Sequence, residues 1–514
     1  MPASGNTRAI GLRHPSASSL SASVAALLAA FVLGFAAPAN ADSQPFLPAQ
    51  PARAFGDSVG VNAYLAWIDT AYGDFPTLQS RLRELGVRHI RDGLCSSCDY
   101  NVDRLNRLAA DGIRANIIVG TLTGGDAQMN ETLAGIRNKV RYAVTSVEPP
   151  NEPNLVGDPQ WVQHAIEYQQ RLYLRVKADP ALANLTVLGP AVGYPATGEE
   201  FGDISPWLDR GNFHPYPGSG MPYEHLEVMR SQTAHGSGSK PLVATESGYH
   251  TDLATTAGNL PVSERAAAFY TPRLSLEGFY GGIERTYFFQ LADPWPDAAR
   301  PPGVSMAENR FGLLRTDLSR KPSFYALRNL LDQTDGDSAP VASPGGLHLS
   351  VSGAAPDLRQ LLLRSADGSY ALVLWRAVRA WDWANRVDAF PDANRVEVVL
   401  GDRIALARRF DPVASDAEQQ RWDNPSRIPV DVAGSPVVLR LNPPGVASGG
   451  TGRRKAARGA GRCVSTLSAP KRKRCCRAAR HRARGHRAKR RRAHPRRHRA
   501  KASWAATCVS VRRR

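Results

Sequence analysis

The sequence predicts an α/β fold, in which a (β/α)8 TIM barrel is followed by a small all-β sandwich domain and a disordered basic tail. Two observations predict the barrel. Between residues 58 and 332, short apolar runs alternate with amphipathic helical patterns, in the order and over the length of eight strand–helix units. The runs are continuously apolar, as parallel strands covered by helices are. An open doubly wound sheet is disfavoured, because no glycine-rich phosphate loop follows the first predicted strand.

The barrel elements are predicted in order along the chain. In the first helix, Leu78, Leu82 and Leu85 recur at helical spacing and Gly86 provides the stop. The predicted strands are 58–63, 87–91, 113–120, the run from Arg141 to Glu152, 185–189, 212–213, the run from Lys240 to Glu246, and 285–292. The predicted helices are 75–85, 102–110, 131–139, 159–177, 223–234, 263–279 and 322–332.

After about residue 339 the pattern changes to short strands joined by turns. A hairpin turn signal, Ala366-Asp367-Gly368, separates two of these strands. The strands are predicted at 347–351, 359–364, 370–375, 395–400, 405–410 and 437–441. This pattern is typical of an antiparallel sandwich. The predicted domains are a signal peptide (1–41), a leader or linker (42–55), the barrel (56–335), the sandwich (340–442), and a linker with an Arg/Lys-rich tail (443–514).

Both ends of the chain indicate export. Arg8 and Arg13 precede a short apolar run and an A-x-A site at residues 39–41, which is the pattern of a cleaved secretory signal. An uncleaved anchor helix is the alternative, but the run is shorter than the roughly 20 residues that span a bilayer. We therefore expect a secreted or extracellular protein, with no transmembrane span after cleavage.

The basic charge is confined to the carboxyl end. The segment from Thr451 holds 25 Lys or Arg and no Asp or Glu, in a chain whose formal net charge is +19. The body before it is therefore mildly acidic, which argues against specific nucleic-acid binding. The tail is either a solvated polycation or a means of electrostatic retention on an anionic cell-envelope polymer.

Cysteine usage agrees with export. Cys95 and Cys98 form a C-x-x-C in one loop, and the tail holds four more cysteines. After export these are expected to form disulfides. A redox-active C-x-x-C is the alternative for the first pair, but the thioredoxin-like unit that usually surrounds such a motif is not predicted here.

Two glutamates are the candidate catalytic residues. Glu152 and Glu246 end the fourth and seventh predicted strands, and the carboxyl ends of barrel strands are where such enzymes hold their catalytic groups. Hydrolysis of a glycosidic bond needs one carboxyl group that carries a proton and one that is ionised. Both glutamates are therefore expected to face the same pocket.

The motifs resemble those of the clan A glycoside hydrolases, which are retaining TIM-barrel enzymes, with a family 39-like or family 5-like pattern. The resemblance is carried by Asn151-Glu152-Pro153 at strand four, by the lone Glu246 at strand seven and by His214-Pro-Tyr216 at strand six. It covers roughly residues 56 to 333, together with the common pairing of such barrels with a β-sandwich. It implies cleavage of a β-linked oligo- or polysaccharide with retention of configuration.

The resemblance also implies a role for each matching residue. Glu152 would act as general acid and then as general base, and Glu246 as the nucleophile. Asn151 would donate to the sugar 2-hydroxyl, Tyr216 would hydrogen-bond Glu246, and His214 would line the cleft. In addition, Arg91 at the end of strand two would keep Glu246 ionised.

Aromatic side chains are expected to stack on sugar rings. Trp295 is the first candidate, followed by Tyr64, Trp67 and Tyr249. The family often has Trp nearer the tip of strand eight, where this chain has Gln290.

Each candidate also has a structural alternative. Glu152 and Glu246 could be cap or turn residues. His214 could be a core histidine, and Arg91 could form a plain salt bridge. Glu148, on the same predicted strand as Glu152, is interpreted as a structural ion-pair partner.

No cofactor or metal is predicted, because the histidines show no ligand spacing and no H-E-x-x-H motif occurs. A G-x-S-x-G elbow is absent from the sequence as well. The alternative function is that of a non-catalytic glycan-binding cell-surface protein on a barrel scaffold.

Overall fold

The computed structural model describes residues 44–447 except 335 and 337. The side chains of Tyr223 and His225 are also outside the description. The predicted signal peptide and the basic tail with its four cysteines lie outside the described residues. Among the described helices, none is long and apolar enough to cross a membrane.

Eight parallel strands form the predicted TIM barrel. Along the chain each strand except β5 pairs with the next, and β8 pairs with β1. The ring closes between β5 and β6 through a parallel bridge of Leu188 with Arg210, where the amide of Gly189 donates to the Arg210 carbonyl at 2.8 Å. The strands are β1 (Val59–Asn62), β2 (His89–Gly93), β3 (Arg114–Ile118), β4 (Val144–Glu148), β5 (Thr186–Val187), β6 (Gly211–Phe213), β7 (Leu242–Ser247) and β8 (Ile283–Phe288).

An α-helix follows every barrel strand except β5. After β5 the described residues form only the 3-10 turns Glu199–Phe201 and Ser205–Trp207. Helix α3 begins six residues earlier than predicted. The prediction missed its first turns because they are polar and show no apolar residues at helical spacing. The helices are α1 (Phe75–Leu85), α2 (Asp99–Ala110), α3 (Gly125–Lys139), α4 (Trp161–Ala178), α5 (Pro222–Ser237), α6 (Glu264–Tyr280) and α7 (Pro322–Gln333).

Helix α1 has the bounds that its sequence predicts. The side chain of Asp74 accepts a hydrogen bond from the amide of Thr77 at 3.2 Å, which satisfies one unpaired donor of the first turn. Gly86 ends the helix with φ +84°, a conformation that favours glycine. Leu78, Leu82 and Leu85 are fully buried between these ends, so the predicted apolar face is the one that packs on the barrel.

The sandwich follows as two antiparallel sheets. Its strands are β9 (Gly346–Ser352), β10 (Leu358–Arg364), β11 (Tyr370–Arg376), β12 (Asn394–Leu400), β13 (Leu406–Phe410), β14 (Gln420–Asp423), β15 (Arg427–Val432) and β16 (Val437–Asn442). A two-stranded ribbon (Trp381–Asp382 with Val387–Asp388) lies outside both sheets. Sequence patterning missed β14, which is polar, and β15, which contains Pro429, a residue that weakens the prediction of a strand.

Residues 42–55, predicted as a leader or linker, are corrected by the structure. Phe46–Pro48 pairs antiparallel with β9, and Gln50–Pro51 pairs parallel with β10. Ala52–Asp57 is a short helix that leads into β1. The prolines that suggested a linker are compatible with edge strands, and the segment completes both sheets of the sandwich.

The sandwich packs directly on the barrel. The fully buried Trp375 of β11 donates its indole N–H to Glu277 of α6 at 2.8 Å. The amide of Ala380 donates to the hydroxyl of Tyr270, also in α6, at 2.9 Å. Strand β11 is buried at six of its seven positions, because one face meets the sandwich core and the other meets the barrel.

The Cys95–Cys98 pair forms the predicted disulfide. It lies in the loop between β2 and α2, and Cys98 immediately precedes the first residue of that helix. The surrounding fold is the barrel, as predicted, rather than a thioredoxin-like unit.

Candidate active site

The two candidate glutamates converge at the carboxyl ends of the barrel strands. Glu246 lies within β7, every residue of which is buried. Glu152 lies four residues beyond the end of β4, immediately before the 3-10 turn Pro153–Leu155. The expectation that strand four ends at Glu152 is therefore corrected: the strand ends at Glu148, because Pro149 and Pro150 have no amide hydrogen to donate to the sheet.

The backbone of Glu152 is in the left-handed region, with φ +42° and ψ +62°. This conformation is unfavourable for a residue with a side chain and is found most often where function requires it. It turns the chain at the barrel mouth. One carboxylate oxygen of Glu152, one of Glu246 and a ring nitrogen of His214 all lie within 4.8 Å of one another.

Glu246 is held by two donors. An Arg91 guanidinium nitrogen lies 2.5 Å from Oε1, and the hydroxyl of Tyr216 donates to Oε2 at 2.6 Å. Burial by itself raises the pKa of Glu246, but the charges of His214 and Arg91 and the Tyr216 hydrogen bond outweigh it, so the pKa lies below its ordinary value. Burial and the charge of Glu246 keep the Tyr216 pKa well above its ordinary value. The hydroxyl therefore keeps its proton and donates to an ionised carboxylate.

Arg91 connects four side chains at the barrel mouth. It lies 2.5 Å from Glu148 Oε1 and donates to the side-chain oxygens of Asn62 at 3.1 Å and of Asn151 at 2.6 Å, in addition to Glu246. The interpretation of Glu148 as a structural ion-pair partner is confirmed. Because a guanidinium has no acceptor, the amide oxygen of Asn151 must face Arg91, and its NH₂ group is left to donate elsewhere.

His214 contacts Glu152 on one side and Thr245 on the other. Its Nδ1 lies 2.8 Å from Oε1 of Glu152, and its Nε2 lies 3.1 Å from the hydroxyl of Thr245. That hydroxyl donates to Oδ1 of Asn212 at 2.8 Å, so it accepts from His214 and Nε2 carries a proton. Burial lowers the pKa of His214, but the charges of Glu246 and Glu152 outweigh burial and raise it above its ordinary value.

A buried polar layer supports these contacts from below. Asn116 and Asn212 donate to Oε2 of Glu148 at 3.0 and 3.2 Å. Asn62 donates to the carbonyl of Thr245 at 3.0 Å. Sequence analysis did not single out these two asparagines, Asn62 or Thr245. The available signal was a polar residue within an otherwise apolar strand.

Trp295 is near the site but does not contact either glutamate through a ring or hydrogen bond among the described residues. It stacks on Trp67 at 5.2 Å, which stacks on Tyr64 at 4.1 Å. The Tyr64 ring meets the edge of Phe289, which also contacts the Tyr216 ring. The aromatic contacts therefore run from Trp295 to Tyr216.

The two other residues considered for this region, Gln290 and Tyr249, are not members of the ring stack. Gln290 is buried and donates to the Glu308 carbonyl at 3.0 Å. Tyr249 is buried against Tyr270, with ring centroids 5.0 Å apart.

A third carboxyl, Glu308, was missed by sequence analysis. It lies in the loop after β8, at the start of the 3-10 turn Glu308–Arg310, and is exposed to solvent. Partial desolvation by the surrounding protein raises the pKa of Glu308, and the negative charges of Glu152 and Glu246 raise it further. Glu308 is therefore within electrostatic reach of the candidate catalytic pair. The loop that carries it has no motif that could have indicated this position.

Glu152, His214 and Glu246 also form the group of described residues whose ligand atoms are close enough to hold a metal ion. Arg91 and Tyr216 already occupy the oxygens of Glu246. The positive charge of Arg91 opposes a cation there, so the donor set fits a proton-transfer site better than a metal centre.

No known family model matches the sequence, and no curated protein matches it. Solved structures share its fold. A family 39 glycoside hydrolase from the gut symbiont Bacteroides cellulosilyticus WH2 is 14% identical, covers 76% of this chain and 82% of its own, and aligns with a TM-score of 0.53. A monomeric β-xylosidase from Caulobacter crescentus CB15 is 16% identical, with coverages of 77% and 98% and a TM-score of 0.53.

A GH39 enzyme from Xanthomonas axonopodis pv. citri is also 16% identical, with coverages of 77% and 96% and a TM-score of 0.51. Identities this low establish likeness of fold alone. The resemblance to clan A glycoside hydrolases, with a family 39-like or family 5-like pattern, is thereby confirmed at the level of the fold, and these three structures include family 39 enzymes.

Proposed function

We propose that this protein is a secreted glycoside hydrolase that cleaves a β-linked glycan with retention of configuration, through Glu152 and Glu246. The observation that carries the proposal is the close approach of two carboxylates with different partners. Their nearest oxygens lie within 4.8 Å, which favours the separation of about 5–5.5 Å between carboxyl groups in retaining enzymes over the 6.5–9.5 Å in inverting enzymes.

The unequal partners assign the two roles. Glu246 accepts from Arg91 and Tyr216, and its pKa lies below the ordinary value, so it is the ionised nucleophile. Oε1 of Glu152 is engaged by Nδ1 of His214 at 2.8 Å. Among the described residues, none hydrogen-bonds Oε2 of Glu152, and this is the oxygen that exchanges a proton with the substrate.

The reaction proceeds in two displacements. Glu246 attacks the anomeric carbon while Glu152 gives its proton to the glycosidic oxygen, so the glycosidic C–O bond breaks and an ester to Glu246 forms. Glu152, now ionised, then removes a proton from water, and the hydroxide attacks the anomeric carbon and releases Glu246. Two inversions at the same carbon give net retention.

Asn151 and His214 orient the reacting groups. With its amide oxygen held by Arg91, Asn151 presents its NH₂ group to a sugar hydroxyl, a contact that strengthens in the transition state when that hydroxyl is O2. His214 contacts Glu152 through Nδ1, and the contact of its Nε2 with Thr245 fixes the orientation of the ring. No cofactor takes part in this scheme.

Secretion and retention outside the cell are part of the same proposal. The pattern of residues 1–41 supports export, and the 25 basic residues of the tail support salt-sensitive attraction to an anionic cell-envelope polymer. Deletion of residues 451–514 should release the protein from isolated envelopes and leave hydrolysis unchanged. Envelope binding that survives both the deletion and high salt would contradict the tail's role.

The experiment is a panel of aryl β-glycosides with purified protein. It should include a β-xyloside, since the Caulobacter crescentus protein is a β-xylosidase. Turnover of at least one member is expected, together with a loss of about four orders of magnitude or more in Glu246→Gln, as expected for a covalent nucleophile.

The matched control is Glu277→Gln. This variant changes another buried glutamate, whose hydrogen-bond partner is Trp375 of the sandwich. It should keep wild-type rates. Equal rates for Glu246→Gln and wild type would contradict the nucleophile assignment. Binding of glycans without any turnover would instead favour the non-catalytic alternative.

A further inference from the structure

We propose that Tyr194, together with Leu155, forms the surface that binds the leaving group of the substrate, and that this leaving group is a ring with a flat apolar face, such as a second pyranose. This inference rests on the proposed function, because it uses the role of Glu152 as the general acid. Tyr194 lies in the loop between β5 and the 3-10 turn Glu199–Phe201, and the functional assignment above does not use it.

This loop is fastened to the segment that carries Glu152. The side-chain amide of Asn154 donates to the carbonyl of Gly193 at 2.7 Å, and the amide of Gly193 donates back to the side-chain oxygen of Asn154 at 2.9 Å. Asn154 is two residues from Glu152 and lies in the 3-10 turn that follows it. The pair of hydrogen bonds fixes the position of Tyr194, the next residue after Gly193, relative to the catalytic loop.

Gly193 also lies against the carboxyl group of Glu152. A Cβ at position 193 would be 3.1 Å from Cδ of Glu152 and 2.6 Å from Cδ1 of Leu155. The close approach of these side chains explains why residue 193 is a glycine, since any side chain at this position would have to displace Glu152 or Leu155. The residue next to Tyr194 is therefore in contact with the group that protonates the leaving oxygen.

Tyr194 does not pack into the protein. Its side chain is 92% exposed, and Leu155 is 42% exposed. Single exposed aromatic residues are common on protein surfaces, but this one directly follows Gly193, whose backbone is held beside the carboxyl group of Glu152. A ring of this kind stacks well on the apolar face of a sugar or an aryl group and has little conformational entropy to lose.

The roles of the two glutamates determine on which side of the cleft each part of the substrate lies. The sugar that is attacked must lie over Glu246, whereas the leaving group departs on the side of Glu152. Residues 193–195 make no hydrogen bond, ion pair or ring contact with Glu246 among the described residues. Within this stretch Gly193 approaches Glu152 and Leu155, and we therefore place the exposed ring of Tyr194, the next residue, on the leaving-group side.

The experiment compares two substrates that share the reactive sugar found in the glycoside panel. One carries a second sugar as its leaving group and the other is the glycosyl fluoride, whose leaving group offers no surface to stack on. Tyr194→Ala is expected to lower kcat/KM for the disaccharide about five- to tenfold, the effect of losing one stacking contact, and to leave the fluoride unchanged. Tyr194→Phe keeps the ring and should match wild type on both.

Tyr142→Ala is the matched control. Tyr142 is 85% exposed, but it precedes β4 in the 3-10 turn Arg141–Ala143 and so lies at the opposite end of the barrel. It should match wild type on both substrates. A third arm, an aryl glycoside of the same sugar, decides whether the surface accepts any flat ring or sugars alone, since Tyr194→Ala slows the aryl substrate only in the first case.

Equal losses of Tyr194→Ala on the disaccharide and the fluoride would overturn the inference, as would no loss on either. Both outcomes would leave the proposed function intact. If wild type turned over none of the three substrates, the proposed function would fail and this inference with it.

Discussion

Replacement of Tyr216 by Phe measures the contribution of one of the two hydrogen-bond donors that keep Glu246 ionised. In Tyr216→Phe the ring keeps its contacts with Phe311 at 5.4 Å and Phe289 at 6.2 Å, and only the 2.6 Å hydrogen bond to Glu246 is lost. A hydrogen bond to a charged group contributes about 1.5–3 kcal/mol. At 1.36 kcal/mol per unit, the pKa of Glu246 should rise by about 1–2 units.

The direction of this change fixes what the assay should show. The pKa of Glu246 lies below its ordinary value of 4.5, so the carboxylate contributes stability above that pH and loses the contribution as pH falls through the folded-state pKa. In Tyr216→Phe the acid limb of the kcat/KM profile should move about 1–2 units to higher pH. Unfolding free energy should fall by about 1.5–3 kcal/mol at pH 7 and by less in acid.

The assay is kcat/KM from pH 3 to 9 on the best substrate of the panel, with urea unfolding at each pH. Tyr249→Phe is the control, because Tyr249 is buried nearby and donates to the Gly220 carbonyl at 3.2 Å instead of to a carboxylate. Its acid limb should not move. A Tyr216→Phe profile with an unshifted acid limb would refute the claim that this hydroxyl tunes Glu246.

Two further predictions concern stability at the site. Arg91→Met leaves Glu148 and Glu246 buried without their cation, so urea unfolding at pH 7 should show a loss of about 3–5 kcal/mol that shrinks as acid protonates Glu246; a loss independent of pH would contradict this. At Glu152 the left-handed backbone (φ +42°) favours glycine, so Glu152→Gly should be more stable than Glu152→Ala by about 1 kcal/mol, with catalysis lost in both. Equal stabilities would mean that the backbone there is unstrained.

Much of the barrel could be predicted because its strands and helices carry local signals. The apolar run before Glu246 is a strand, and the spacing of Leu78, Leu82 and Leu85 gives α1 its bounds. The predicted end of β4 was four residues too late, although Pro149 and Pro150 were visible in the sequence. The convergence of Glu152 and Glu246 followed from the fold, because parallel strands of a barrel end at one rim.

The supporting residues could not be predicted because their partners are distant in sequence. Asn62 bonds a backbone carbonyl 183 residues away, and Asn212 bonds Glu148 across 64 residues. A polar residue inside an apolar strand signals that some partner exists, but not which one. The positions of Tyr194 and Glu308 depend on the paths of long loops, which carry no comparable pattern.

The account depends most directly on the claim that both glutamates act on one glycosidic bond through a covalent intermediate. The measurement is the anomeric configuration of the first product, read by proton NMR within the first minutes of turnover of a β-glycoside. The account predicts that the β-anomer appears first and then mutarotates. Initial appearance of the α-anomer would contradict it, because a single displacement by water leaves no role for Glu246 as nucleophile.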